Sequence, residues 1–264
     1  MPENSVILLP GGMLPAEPAY APLIEALGDG VRAVAKDLEV YAGDAPPPGY
    51  SLGTEVEGVL RVAEEAGLER FHLVGFSAGG ASAVAFAAAH PDRLRSLALI
   101  EPAWLGNEEQ SERERADRAR MADLAGLPPA QMLEQFRRLQ LAPGVVPPST
   151  PHGDPPPWLA KRPAGLAAIG GAFAGHRLDL DALRALDAPV YFALGTLSNQ
   201  DRYGENARRA EELFADFTLD VYEGRHHFDP PHLAEPGRLA AALRALWRRA
   251  PAGTTRPRRP EASV

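Results

Sequence analysis

Cysteine is absent from the 264 residues, which excludes disulfides, thiolate nucleophiles and Cys-ligated zinc. No apolar run nears the roughly 20 residues that a bilayer-spanning helix needs. The opening Met1-Pro2-Glu3-Asn4 lacks the basic n-region and apolar h-region of a secretory signal. No membrane partner is expected, and the cytoplasm is the expected location. Basic charge is also in short supply. The formal net charge is -8, and phosphate binding needs clustered Lys and Arg, so nucleic acid is not an expected partner. The one basic run, Arg256-Pro257-Arg258-Arg259, reads as part of a solvated tail.

What is present is ordinary for a globular protein: 45% hydrophobic and 23% charged residues. The length fits one large α/β domain or a domain with an insertion. Short aliphatic runs at Val6–Leu9, Val31–Ala35, Phe71–Gly75, Leu94–Ile100, Pro189–Gly195 and Thr218–Tyr222 read as buried strands. Between them lie helical patterns at Tyr20–Leu27, Thr54–Ala66, Ala78–Ala89 and Ala207–Phe214, and a last apolar stripe of Leu239, Leu243, Leu246 and Trp247. Thr54 and Glu57 have capping-box spacing, and Gly67 stands where a helix C-terminus favours glycine. Strand–helix alternation predicts a mostly parallel sheet with helices on both faces.

The alternation is interrupted after Glu101-Pro102. A charge-dense stretch over Asn107–Asp123, a helical pattern over Leu124–Leu141 and a Pro-rich segment over Pro143–Pro157 come before the strands resume. We divide the chain into an α/β core of residues 1–101 and 187–250, a helical cap of 102–186, and a disordered tail of 251–264.

The sharpest chemical signal is Gly75-Phe76-Ser77-Ala78-Gly79, with a strand before it and an Ala-rich helix after it. That setting puts a serine on a tight strand-to-helix turn, where small neighbours permit the bend. The following helix N-terminus favours negative charge developing at Ser77. A serine hydroxyl also needs a base, and imidazole can take and return its proton near neutral pH. His227 follows a strand, in Gly224-Arg225-His226-His227-Phe228, with His226 beside it as the alternative. His72 lies inside a strand, and His90 ends a helix. His152 and His176 fall in the cap. His226, His227, Asp229 and His232 match no metal-ligand spacing, so neither metal nor cofactor is expected.

The elbow, the Pro10-Gly11-Gly12 loop and the late Gly-x-x-His run together resemble the α/β-hydrolase family over most of the chain outside cap and tail. The resemblance implies the α/β-hydrolase fold, Ser77 as nucleophile and His227 as base. For the acid it implies a carboxylate a few residues beyond Gly195, near Ser198, where this chain has none. Two candidates stay open. Asp201 lies further along that loop, and Glu101 ends the strand after the elbow helix, where some family members place their acid. Glu101 is preferred, because a strand end aims its side chain rigidly. The oxyanion hole needs backbone N–H groups. Ala78 supplies one, and Gly12 the second, with Met13 as its alternative.

Trp104, Met132, Phe136, Trp158 and Phe173 are the candidate apolar walls of a small-molecule pocket. The implied function is a serine hydrolase of the esterase kind, cleaving a carboxylic ester or thioester through an acyl-enzyme on Ser77. The alternatives are a ligand-binding or weakly active protein of the same fold and a cofactor-free, haloperoxidase-like perhydrolase. Serine at the elbow argues against the epoxide hydrolases and haloalkane dehalogenases of this fold, which use Asp there.

Overall fold

The structure, a computed structural model, describes residues 4–108, 110–148 and 156–250. Six parallel strands form one sheet: β1 (Asn4–Leu9), β2 (Val31–Ala35), β3 (Phe71–Phe76), β4 (Leu94–Ile100), β5 (Val190–Gly195) and β6 (Phe217–Tyr222), in the order β2-β1-β3-β4-β5-β6. The α/β-hydrolase fold class follows from this sheet and the helices around it. α1 (Ala16–Leu27), α2 (Leu52–Glu65) and α3 (Ala78–Ala89) connect the early strands. α4 (Glu112–Ala122), α5 (Pro129–Arg138), α6 (Arg162–Gly175) and α7 (Leu180–Arg184) lie between β4 and β5. α8 (Glu205–Leu213) follows β5, and α9 (Pro231–Ala234) and α10 (Pro236–Arg249) close the described chain.

Alternate residues of each strand point to opposite faces of a sheet, and both faces are filled here. Ile7, Leu9, Leu73, Leu97, Leu99 and Phe192 pack with α2, α3 and α8 on one side. Val6, Leu8, Val74, Ala98, Ile100 and Tyr191 pack with α1 and α10 on the other. The strands are therefore near-continuous apolar runs, as a sheet covered on both faces requires. Burying each large aliphatic or aromatic side chain contributes about 1.5–3 kcal/mol before chain entropy is subtracted. Among the described residues no helix is long and apolar enough to cross a membrane.

Several local expectations are corrected. α2 begins at Leu52 with Ser51 as its N-cap, and the Ser51 N–H donates to Thr54 Oγ1 at 3.2 Å, so the capping pair is Ser51–Thr54 rather than Thr54–Glu57. Gly67 does follow the helix end, with φ of +65°, and Leu68 N–H returns to Ala63 O at 2.7 Å. The expected Leu124–Leu141 helix is a 3₁₀ turn over Asp123–Gly126 followed by α5. Gly126 and the Pro128-Pro129 pair break it, because proline cannot donate the helical bond. Gln200–Gly204 form a π-helical turn that the sequence pattern did not signal. The expected tail, 251–264, lies outside the described residues, as does His152.

Candidate active site

The chain runs outward from β1 to β2, then restarts at β3 on the other side of β1, so the strand order reverses between β1 and β3. Ligand sites in open parallel sheets form at such points, beyond the carboxyl ends of the strands. Gly12 follows β1, Ser77 follows β3, Glu101 follows β4 and His227 follows β6. All four therefore emerge on the same edge.

Ser77 has φ of +52° and ψ of -116°, a conformation that a non-glycine residue rarely adopts. Its surroundings hold it there. Ser77 N–H donates to Ile100 O at 3.0 Å, and Ser77 O accepts from Ala81 N at 3.1 Å and Ala103 N at 2.9 Å. The flanking glycines are needed for space. A Cβ on Gly75 would meet Gly79 O at 2.4 Å, and one on Gly79 would meet the Leu9 and Pro10 carbonyl oxygens at 2.5 Å. Strand and helix thus approach each other more closely than any side chain allows.

The His227 Nε2 lies 3.0 Å from Ser77 Oγ, and its Nδ1 lies 2.7 Å from Glu101 Oε2. A carboxylate only accepts, so Nδ1 carries the proton and Nε2 presents its lone pair to the serine. The other carboxylate oxygen of Glu101 accepts from Gly195 N–H at 2.7 Å, which fixes the group in the plane that the imidazole needs. Glu101, like Ser77, has positive φ, +42°. Histidine and glutamate side chains are 4% and 3% exposed, so water does not compete for their bond. Burial pulls the His227 imidazole below its ordinary range, opposed by the hydrogen bond and charge of Glu101.

Asp201 stands elsewhere. Its carboxylate is 42% exposed and pairs with Arg120 at 3.3 Å, while its N–H donates to Asn199 Oδ1 at 3.0 Å. The π turn directs it to the surface, and it does not fold back toward His227. His226 is held by Asp229, with Nδ1 2.7 Å from Oδ1, whereas the imidazole that meets Ser77 Oγ is that of His227. His72 is buried, bonded to Ser96 Oγ at 2.8 Å and stacked on Trp247.

A cavity of about 620 Å³ opens onto Ser77, Ala78 and Gly12. Trp104, Met132, Phe136 and Phe173 line it, with Leu166 and Ile169 of α6. Trp158 does not: it stands 5.2 Å from the Arg162 guanidinium, whose other neighbour is the Tyr41 ring at 3.8 Å. Met13 is also outside the wall, whereas the Gly12 carbonyl is held by Tyr41 Oη at 2.8 Å. Among the described residues no group of three or more His, Asp or Glu is placed to hold a metal ion.

The sequence pattern missed Tyr203. Its ring stacks on His227 at 4.5 Å with 13° between planes, and its hydroxyl lies 3.1 Å from Nε2. No motif marks it, because only the π turn brings it to the histidine.

This fold and this strand-edge cluster are those of the α/β-hydrolase class. Residues 6–242 match the alpha/beta hydrolase family, and the chain belongs to it. A putative carbamate hydrolase, RutD, of Caulobacter segnis is 34% identical over 100 residues, which is 37% of this chain and 38% of that protein. The chain thus aligns with under two-fifths of the length of that curated relative. The solved thermophilic esterase of Thermogutta terrifontis superposes with a TM-score of 0.67 at 22% identity, over 93% of this chain and 89% of that one. NosK from Streptomyces actuosus gives 0.64 at 22% identity, over 94% and 98%. At such identities the structural likeness shows the fold alone.

Proposed function

We propose that this protein is a serine hydrolase that cleaves a carboxylic ester or thioester of a small, largely apolar substrate. The observation that carries this reading is His227, bonded on one side to a buried carboxylate and on the other to Ser77 Oγ, the serine that lines a largely apolar cavity. Ser77 Oγ attacks the substrate carbonyl carbon while its proton passes to His227 Nε2. Glu101 holds the imidazole in the required tautomer and stabilises the imidazolium. The N–H groups of Ala78 and Gly12 receive the oxyanion. Ala78 opens α3, where the first N–H groups have no intrahelical acceptor. The imidazolium then gives its proton to the leaving oxygen or sulfur, and water hydrolyses the acyl-enzyme by the same route. The helical segment between β4 and β5 acts as a cap whose inner side receives the acyl group. The names of the carbamate hydrolase and esterase relatives agree with chemistry at a carbonyl carbon bonded to a heteroatom.

The test is labelling with a fluorophosphonate probe, followed by a panel of acyl esters and thioesters of graded chain length. Labelling of the wild-type protein but not of Ser77→Ala, with turnover of at least one ester, is expected. Equal turnover by Ser77→Ala would overturn the mechanism. Labelling without turnover of any acyl compound would favour a binding role.

A further inference from the structure

We infer that the acyl group of the substrate ends in a carboxylate, held by the Arg118 guanidinium in the wall of the cavity that opens onto Ser77. The inference deepens the ester-hydrolase reading and rests on it.

Four charged side chains line that cavity: Glu114, Asp117, Arg118 and Arg202. Three of them are paired. Asp117 Oδ2 lies 2.6 Å from Arg202 Nη2, and Glu114 Oε2 lies 3.3 Å from Arg209 Nη2. Arg118, which is half-buried, is the exception: among the described residues no carboxylate forms an ion pair with it. Its N–H groups go to neutral oxygens instead. These are Asn107 Oδ1, Gly106 O at 3.3 Å, and the Gln110 amide oxygen at 2.6 Å. A guanidinium has five N–H groups, so these acceptors leave donors for a ligand.

The carboxylates nearest to Arg118 along the chain are already engaged. Glu114 stands one helical turn before it, the spacing at which such residues pair on a helix. Yet its Oε2 accepts from Ser111 N–H at 2.7 Å, in the capping box of α4, and from Arg209. Asp117 accepts from Arg202 Nε at 2.7 Å and from Asn199 Nδ2 at 2.9 Å. Glu108 Oε2 accepts from Asn107 N–H at 3.0 Å. Burial pulls the Arg118 guanidinium below its ordinary range; Glu114 and Asp117 oppose the shift, and Arg209 and Arg202 add to it. A guanidinium remains charged even so. An added negative charge is therefore favourable at this wall.

The path from Ser77 to Arg118 is apolar. Ala103 N–H donates to Ser77 O at 2.9 Å, and Trp104 follows it. The Trp104 indole N–H donates at 2.8 Å to Asn107 Oδ1, the oxygen that Arg118 also holds. Trp104 and Phe173 stack with centroids 5.8 Å apart, and both line the cavity. An acyl chain on Ser77 Oγ can lie along these rings and bring its end to the guanidinium. A planar carboxylate matches the guanidinium fork. Glu114 and Asp117, in the same wall, disfavour a doubly charged phosphate.

The experiment compares para-nitrophenyl hemiesters of adipic, suberic and sebacic acids with their methyl-capped counterparts, by kcat/KM at neutral pH. The quantity read is the ratio of hemiester to capped ester, in which a general loss of activity cancels. Full-length wild-type protein is expected to favour the hemiester about 10- to 100-fold at one chain length or more, the size of a hydrogen bond to a charged group. Arg118→Gln, with thermal unfolding alongside, is expected to bring that ratio to about one or below. A wild-type ratio of about one or less at every length overturns the inference, and so does a preference that survives in Arg118→Gln. If Arg118→Gln does not fold, Arg118→Lys replaces it, and an undiminished ratio there overturns the assignment to the guanidinium fork. If the wild type turns over no ester, the hydrolase reading fails, and calorimetry with monomethyl and dimethyl suberate decides the anion site alone. Binding of the monoanion at least about tenfold more tightly supports the site, and equal binding overturns it.

Discussion

Glu101→Gln is the substitution that most directly probes the proposed chemistry. Glu101 makes two bonds of 2.7 Å, from Gly195 N–H to Oε1 and from His227 Nδ1–H to Oε2. Glutamine keeps the first through its carbonyl oxygen. That orientation turns its NH₂ group to His227, where two donors now face each other. The imidazole must then carry its proton on Nε2 and present N–H, not a lone pair, to Ser77. The base is in the wrong tautomer, and the imidazolium has lost its buried counter-charge. Loss of the same carboxylate in a Ser-His-Asp protease lowers kcat about 10⁴-fold, or ~5.5 kcal/mol, and a similar loss is expected here. Asp201→Asn breaks only an exposed pair with Arg120 and should cost under about tenfold. The assay is kcat on a chromogenic acyl ester, with circular dichroism to show that both variants fold. If Glu101→Gln stayed within about tenfold of wild type while Asp201→Asn lost the activity, the role given to Glu101 would be wrong.

Three further outcomes are expected. Because burial holds His227 below the ordinary imidazole range, and a base acts only when unprotonated, kcat/KM should fall with decreasing pH through a midpoint below about 6.5; a midpoint above that value would contradict the burial argument, and a larger loss in His226→Ala than in His227→Ala would move the role to its neighbour. His72 and His232 are buried neutral, with pKa values lowered to about 3, so between pH 6.5 and 3 the unfolded chain binds protons that the folded one refuses. Stability present above pH 6.5 should therefore be lost toward acid by up to ~1.4 kcal/mol per pH unit for each histidine, read by urea unfolding at pH 7, 6 and 5, where a flat profile would count against it. Gly79→Ala places a methyl 2.5 Å from two backbone carbonyl oxygens that have no room to retreat, and the resulting overpacking should lower stability by about 1–3 kcal/mol or more, while an unchanged melting temperature would mean that the elbow can open.

Much of the fold was legible in the sequence because its signals are local. β4 and α3 have the boundaries that their apolar runs indicate, since both are bounded by residues that end an element. Where the local signal was weak, tertiary packing overrode it. The α2 cap moved from Thr54 to Ser51, and the Leu124–Leu141 pattern broke at its Gly and Pro residues. Trp158 looked like a pocket wall by type, yet it packs near Arg162.

The sequence by itself determined the class of the protein and which side chains compete for each role. Apolar run length, strand–helix alternation and small residues around Ser77 are properties of neighbouring positions, and these suffice to specify a parallel sheet with a serine on a tight turn. It left two carboxylates open for one place beside His227, because that choice depends on residues more than a hundred positions apart in the chain. Only the tertiary structure decided it: parallel pairing of β4 with β5 puts Glu101 against Gly195 N–H and within 2.7 Å of the imidazole. On the π turn after β5, Asp201 faces outward to Arg120 and Tyr203 inward to His227, because residues two positions apart on a helical turn lie on nearly opposite sides of its axis.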